Sequence, residues 1–309
     1  MSEVSQPAPT RCGYVALIGA PNAGKSTLLN RLIGHKLAIV SPKAQTTRTR
    51  LLGIAVEGPA QLVFVDTPGI FAPRRRLDRA MVSAAWSGAE DADETVLLVD
   101  AERSGSGRGI DRDTRRILDR LAERGRRSVL ALNKIDLVRR DALLGLAASL
   151  SAQGQFDPVF MISGLGGDGV EDLKRHLAAC LPLGPWLFPE DQLSDAPERL
   201  IAAEITREQV FLQLHDELPY ASTVETESWQ DRRDGSVRIE QVIYVERQSQ
   251  RAIVLGEGGQ RIKAIGARAR AELEQMLGRR VHLFLFVKVR QHWGEDRERF
   301  AALGLDYDA

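Results

Sequence analysis

At 309 residues, with 43% hydrophobic and 27% charged side chains, the chain describes a soluble protein with ample core, in two domains rather than one. Its 42 basic and 42 acidic residues cancel, so overall charge selects no partner and leaves that to a local patch. The two cysteines, Cys12 and Cys180, show neither a pairing pattern nor metal spacing, and no segment approaches the roughly 18 apolar residues of a membrane span, which excludes a disulfide scaffold and an integral membrane protein.

Residues 1–12 are polar and Pro-containing, lack the apolar stretch of a signal peptide, and are expected to be disordered. A strand-like run over 14–18 then leads into Gly19-Ala20-Pro21-Asn22-Ala23-Gly24-Lys25-Ser26, and a helix-like stretch over 25–33 follows. The eight residues fit the phosphate-loop pattern G-x-x-x-x-G-K-[ST] without a mismatch, in the strand-to-helix context that the pattern needs. There, backbone N–H groups and the positive helix end converge on a polyphosphate. Gly19 and Gly24 permit the wrap, Lys25 is placed to reach the β- and γ-phosphates, the Ser26 hydroxyl is placed to hold Mg²⁺, and Thr27 continues the loop.

The segment Gln45-Thr46-Thr47-Arg48 falls where the first switch loop belongs, and one of its threonines, Thr47 in preference to Thr46, should ligate Mg²⁺ when the γ-phosphate is present. Two runs over 52–56 and 61–65, around Gly58-Pro59, predict a hairpin and one antiparallel edge strand. The second run ends in Asp66-Thr67-Pro68-Gly69, where Asp66 suits Mg²⁺ held through a water and the Gly69 N–H suits the γ-phosphate. Ile70 and Phe71 then stand where Ras-like proteins place a water-orienting glutamine, so hydrolysis should be slow or should draw on another group. Asn22 is the candidate: in GTPases with P-N-x-G-K-S and T-T-R segments this asparagine helps to bind K⁺ beside the phosphates, where a cation offsets developing charge. The alternative is that Asn22 merely accepts an unusual loop φ/ψ. The run Arg74-Arg75-Arg76 reads as a solvated switch face rather than a source of catalytic charge.

Further strands over 95–99 and 128–132 and a helix over 112–124 bring the chain to Asn133-Lys134-Ile135-Asp136. A carboxylate at Asp136 can accept from the two adjacent donors of guanine, N1 and the 2-amino group, whereas adenine offers no such pair and would leave the carboxylate unmet. Asn133 would tie this loop to the phosphate loop, and the Lys134 stem would lie along the flat base. The nucleotide is therefore GTP or GDP. A helix over 141–150, a strand over 159–162 ending in Ser163-Gly164 beside the guanine, and a closing helix over 170–181 complete the alternation. It predicts an α/β fold over 13–182 with a mostly parallel sheet, helices on both faces, and the nucleotide at the C-terminal ends of the strands.

Pro182, Pro185, Pro189 and Pro197 mark 183–198 as an extended linker. Beyond it the order is a helix over 198–215, strands over 222–230 and 237–246 joined at Asp234-Gly235, a short helix, Gly256-Glu257-Gly258-Gly259, a helix over 260–277 and a strand over 281–289. This predicts an α+β domain over 199–293, with 294–309 as a tail. The order resembles the KH fold of the second, bacterial type, in which the G-x-x-G loop clamps a single-stranded nucleic-acid backbone beside an apolar groove. Gly256, Glu257, Gly258, Gly259, Gln260, Arg261 and Lys263 are the candidate RNA-binding residues. Between Tyr244 and Arg290 ten basic residues face four acids, a local excess that suits a phosphate backbone. A competing class, a GTP-dependent scaffold for a protein or membrane partner, would need an apolar or amphipathic surface instead, and no stable protein partner is predicted.

Together the two halves resemble the Era-type GTPase family. The resemblance rests on Gly19-Ala20-Pro21-Asn22-Ala23-Gly24-Lys25-Ser26-Thr27, Ala44-Gln45-Thr46-Thr47-Arg48, Pro189-Glu190-Asp191-Gln192, Glu217-Leu218-Pro219-Tyr220 and Leu255-Gly256-Glu257-Gly258-Gly259-Gln260-Arg261-Ile262-Lys263, and runs from about residue 13 to residue 293. It implies GTP hydrolysis coupled to binding the 3′ end of small-subunit (16S) ribosomal RNA during assembly of the 30S subunit. It also implies a cytoplasmic protein, loosely associated with the inner face of the membrane. The chain departs from the family in carrying Glu257 where a basic residue is usual, and Ser163-Gly164 where Ser-Ala is usual.

Overall fold

The computed structural model describes residues 9–41, 43, 47–48, 51–73, 75–105, 109–125, 127–291 and 293–309. The expectations for residues 1–8, for Ala44, Gln45 and Thr46, and for Arg74 lie outside the described residues, whereas Arg11 and Cys12, expected in a disordered N-terminus over 1–12, are paired in a strand with Ala60 and Gln61. The described residues form two compact units, one within 9–37, 47–74 and 81–195, the other within 38–46, 75–80 and 196–309.

The first unit is built from β1 (Arg11–Gly19), α1 (Lys25–Ile33), β2 (Leu51–Glu57), β3 (Ala60–Asp66), most of α2 (Arg76–Asp91), β4 (Glu94–Asp100), α3 (Ala101–Gly105), α4 (Arg112–Glu123), β5 (Ser128–Asn133), α5 (Arg140–Ser151), β6 (Phe156–Met161) and α6 (Val170–Cys180). The strands lie in the order β2-β3-β1-β4-β5-β6, parallel except for β2, whose tight hairpin to β3 forces it antiparallel. Strand order reverses beside β1, which places the loop after β1 at the switch point where ligands enter doubly wound sheets. β1, β3, β4 and β5 read as continuous apolar runs because both faces are covered, and Val15, Leu17, Ile18, Leu97 and Leu130 have no solvent exposure. α4 starts where Asp111 accepts from the Asp113 and Thr114 N–H groups, and it buries Ile117, Leu118 and Leu121 on one face. α2 and α3 were not anticipated, because the Ala-rich and Arg-rich texture of the former hides its apolar stripe of Met81, Ala85, Trp86 and Ala89.

The proline-rich stretch after α6 is no free linker. Its backbone runs as a strap along the first unit: Cys12 N–H donates to the Pro182 carbonyl, Ile54 N–H to the Leu193 carbonyl, and Ser194 Oγ to the Leu52 carbonyl. Trp186 Nε1 donates to the Pro59 carbonyl. The anchor is Gln61, fully buried in β3, whose amide donates to the Phe188 carbonyl at 2.8 Å and accepts from the Leu187 and Phe188 N–H groups at 2.9 and 3.0 Å. Proline composition reads as a linker because it removes N–H donors, yet here the remaining backbone groups have a buried partner.

The second unit is led by α7 (Glu198–Gln213), followed by β7 (Ser222–Asp231), β8 (Val237–Val245), α8 (Gln248–Leu255), α9 (Gln260–Leu277) and β9 (Val281–Val289). β8 is central, antiparallel to β7 and parallel to β9, as the crossover through α8 and α9 requires. Val210, Leu214, Ile243, Val245, Val254, Ile265 and Val287 form its core. Residues 294–309, expected as a tail, carry α10 (Arg297–Ala302), and Phe300 and Leu305 are buried, with Phe300 packed edge-on against Tyr307. The run read as a solvated arginine face begins α2: Arg75 is exposed, but Arg76 lies over the Tyr307 ring at 4.4 Å.

Replacing Gln61 by Leu deprives a part-buried carbonyl and two part-buried N–H groups of the strap of their common partner, at a cost of about 3 kcal/mol in chemical denaturation. Unchanged stability would mean that these groups reach water instead.

Candidate functional site

The glycine and asparagine positions explain how three loops meet at the C-terminal ends of the strands. Gly24 adopts a left-handed φ of 97°, and a Cβ there would lie 2.2 Å from Asn133 Nδ2. In the space this leaves, the Asn133 amide donates to the Ala23 carbonyl and accepts from the Gly164 N–H, each at 2.8 Å. The phosphate loop, the base loop and the loop after β6 are thereby joined by one buried side chain. Asn22 has a left-handed φ of 65° and is exposed, so the backbone reason for an asparagine is met at this position.

Lys25 is 6% exposed and its ammonium donates to the Gly19 and Ala20 carbonyls, both at 3.0 Å. Burial lowers its pKa from the usual lysine range to about 8, against the opposing pull of Asp66. A lysine so lowered burdens the fold while charged, and the burden eases as pH rises from about 8 towards 10.5. A polyphosphate over the loop supplies the missing counter-charge.

Beside it, Ser26 Oγ lies 2.9 Å from Thr47 Oγ1 and 3.2 Å from Asp66 Oδ2, and Thr47 Oγ1 lies 3.1 Å from the same carboxylate oxygen. All three residues are buried. Two hydroxyls and a carboxylate converging on one point form a hard, all-oxygen donor set that fits Mg²⁺, which completes its shell with water and phosphate oxygens. Gly69 sits against Pro21 of the phosphate loop, and the Ile70 N–H donates to the Gly19 carbonyl at 3.1 Å. The Ile70 side chain is buried among Ile18, Ala85 and Leu97, so it belongs to the core rather than to the reacting water. Thr67 also turns inward, its hydroxyl donating to the Leu17 carbonyl, and Pro68 is buried.

At the base end, Lys134 holds a left-handed φ of 65° and Asp136 is exposed on the short turn Ile135–Leu137. Ser163 was expected beside the guanine; it is fully buried and its Oγ accepts from the Gly166 N–H, shaping the loop from within. The Gly164 N–H is likewise taken, by Asn133. Asp100, at the end of β4 and outside every motif, holds the Lys134 ammonium at 2.5 Å. An acid at a strand end, in register with Asn133, is the signal that could have found it. A cavity of about 320 Å³ opens between the end of α1 and this loop, lined in part by Thr27, Arg31, Lys36 and Gly164.

In the second unit, Gly256, Gly258 and Gly259 have φ of 72°, 57° and 76°, a sequence of left-handed turns that bends the chain sharply between α8 and α9. Glu257, Gly258, Gln260, Arg261 and Lys263 are exposed around it, as is Ile253 on α8. Arg261 donates to the Ile253 carbonyl, and Arg251 to the Val287 carbonyl on β9. The basic excess is smaller than the count suggested, because Arg279, Lys288 and Arg290 are ion-paired with Asp231, Glu227 and Asp296.

A phosphate loop, an oxygen triangle and an Asn-Lys-x-Asp base loop on a doubly wound sheet define the class of P-loop GTPases, here joined to a KH domain. A family model described as a 50S ribosome-binding GTPase matches residues 14–134, and one for the KH domain matches 217–294. The chain belongs to the Era family of GTPases: it is 61% identical to GTPase Era of Rhizobium meliloti (strain 1021), over 97% of this chain and 94% of that one. It is 60% identical to GTPase Era of Afipia carboxidovorans, over 97% and 96%. Among solved structures, a point variant of Aquifex aeolicus Era bound to GDP·AlF4⁻ is similar with a TM-score of 0.88 and 36% identity, over 96% of this chain and 99% of that one. Era in complex with MgGDPNP and nucleotides 1506–1542 of 16S ribosomal RNA is similar with a TM-score of 0.89, 36% identity and the same coverage.

If Thr47 engages the metal in the triphosphate state, Thr47→Ala should weaken binding of a non-hydrolysable GTP analogue in Mg²⁺ by at least about tenfold while GDP affinity stays within about twofold. Thr46→Ala should bind both nucleotides like the wild type. The reverse pattern in a fluorescent-nucleotide titration would transfer the metal to Thr46.

Proposed function

We propose that the chain binds GTP with Mg²⁺, hydrolyses it slowly with help from K⁺, and uses the nucleotide state to control binding of the 3′ end of 16S ribosomal RNA by its KH domain during 30S subunit assembly. Lys25 contacts the β- and γ-phosphates, Ser26 and Thr47 ligate Mg²⁺, and Asp66 holds it through a water. The Gly69 N–H reads the γ-phosphate, and Gly19 to Thr27 wrap the polyphosphate. Asp136 accepts from the guanine edge while the Lys134 stem lies along the base. Asn22 holds K⁺ beside the phosphates, a role compatible with its left-handed backbone, and K⁺ takes the place of the glutamine that Ile70 replaces.

The observation that carries this reading is the Ser26–Thr47–Asp66 triangle in a chain similar over 96% of its length to an Era solved with both MgGDPNP and an rRNA fragment. No helix among the described residues is long and apolar enough to cross a membrane, in keeping with a cytoplasmic protein that meets the inner face of the membrane only loosely. A second reading, a GTP-dependent scaffold, draws on Phe284 and Phe286, which are 42% and 48% exposed on β9.

Hydrolysis should run faster in KCl than in NaCl at equal ionic strength, and Asn22→Ala should remove most of the difference. Equal rates in the two salts would place the compensating charge elsewhere. An rRNA 3′-end fragment should bind about five- to a hundredfold tighter with a GTP analogue than with GDP. The double change Gly258→Asp and Gly259→Asp should abolish that binding through Cβ strain and repulsion. Full RNA affinity in the double variant would move the RNA off this loop and favour the scaffold.

A further inference from the structure

We infer that Asp100 is a positioning residue for guanine recognition: it fixes the ammonium of Lys134 so that the lysine stem forms a rigid platform for the base. The inference rests on the proposed guanine reading of Asp136 and Lys134 and adds a residue outside the Asn-Lys-x-Asp motif. Asp100 ends β4 and pairs in register with Asn133, so its side chain emerges beside the base loop. It is 2% exposed, and both carboxylate oxygens are used. Oδ2 lies 2.5 Å from Lys134 Nζ, while Oδ1 accepts from the Glu102 and Arg103 N–H groups at 3.0 and 3.2 Å. A buried carboxylate needs such partners, and the ammonium supplies the charged one.

The lysine is constrained at both ends. Its backbone sits in the left-handed region at φ 65° and ψ 37°, which a non-glycine residue keeps when its surroundings hold it there. Its ammonium is tied to Asp100. Between these fixed points the four methylenes present an apolar edge, with the charge held at the far end. A lysine lacking the anchor would lose that order and would have to regain it each time a base bound. The same carboxylate also begins α3, whose Arg103 guanidinium donates to the Pro21 carbonyl in the phosphate loop at 3.3 Å. Asp100 therefore stands at a junction between the loop that grips the base and the loop that wraps the phosphates.

Asp100→Asn is the discriminating change, because its amide oxygen can still accept from the α3 N–H groups while the new NH₂ cannot accept from Lys134. GDP affinity measured by fluorescent-nucleotide titration should fall about tenfold in Asp100→Asn and by a similar or larger factor in Lys134→Ala. If Asp100 acts through Lys134, the double variant should fall no further than Lys134→Ala, within about twofold. Losses that multiply, or an Asp100→Asn affinity equal to wild type with the preference for GDP over ADP preserved, would overturn the role of Asp100 alone. Wild-type protein binding ADP as tightly as GDP would overturn the guanine reading and this role with it. Should Asp100→Asn fold poorly, melting temperatures in the Lys134→Ala background carry the test. There the amide relieves an unpaired buried carboxylate, so the double variant should melt at or above Lys134→Ala, and a lower melting temperature would make Asp100 a general structural residue.

Discussion

One primary amide holds the nucleotide site in shape. Asn133 donates to Ala23 on one side and accepts from Gly164 on the other, and it is buried while doing so. A carboxylate could not donate, and an alkyl chain could do neither, so the two loops would lose their common partner. The arrangement demands an absence as well: Gly24 must lack a side chain for the amide to pass. From this junction the rest follows in order. The phosphate loop is set relative to the base loop, Lys25 is buried over its own carbonyls, and Ser26 is brought to Thr47 and Asp66. A charged lysine in that setting is poorly solvated, which lowers its pKa.

Much of this was legible in the chain because the motifs are contiguous and their geometry is local. A glycine-rich turn between an apolar strand and a helix, or an Asn-Lys-x-Asp at a strand end, carries its structural context with it. The parallel sheet with one antiparallel edge and the helix-strand order of the second unit were legible for the same reason. What escaped depends on residues distant in sequence. The stretch after α6 looks like a linker by composition, and its attachment is decided by Gln61 in β3. Asp100 sits in no motif, and its meaning emerges from its register with Asn133. The C-terminal segment was read as a tail because its apolar residues are sparse, yet Phe300 and Leu305 suffice to bury it.

The second unit follows a different logic. Its G-x-x-G loop is shaped by three positive-φ glycines, Gly256, Gly258 and Gly259, and its neighbours Arg261 and Lys263 remain exposed. Glu257 adds an acid at the tip, so any attraction this loop offers a phosphate backbone would come from the flanking cations and from N–H groups at the start of α9. Three of the basic residues that swell the count, Arg279, Lys288 and Arg290, are held in ion pairs, while Arg261, Lys263, Arg268 and Arg270 stand exposed on α9.

The central claim is that the Asn133 amide joins the base and phosphate loops into one guanine-nucleotide site. Asn133→Ala tests it most directly, by the dissociation constant for GDP in protein whose circular dichroism matches wild type. With two buried hydrogen bonds lost and their loop partners unmet, affinity should fall by about a hundredfold or more. An affinity within a few-fold of wild type would contradict the account.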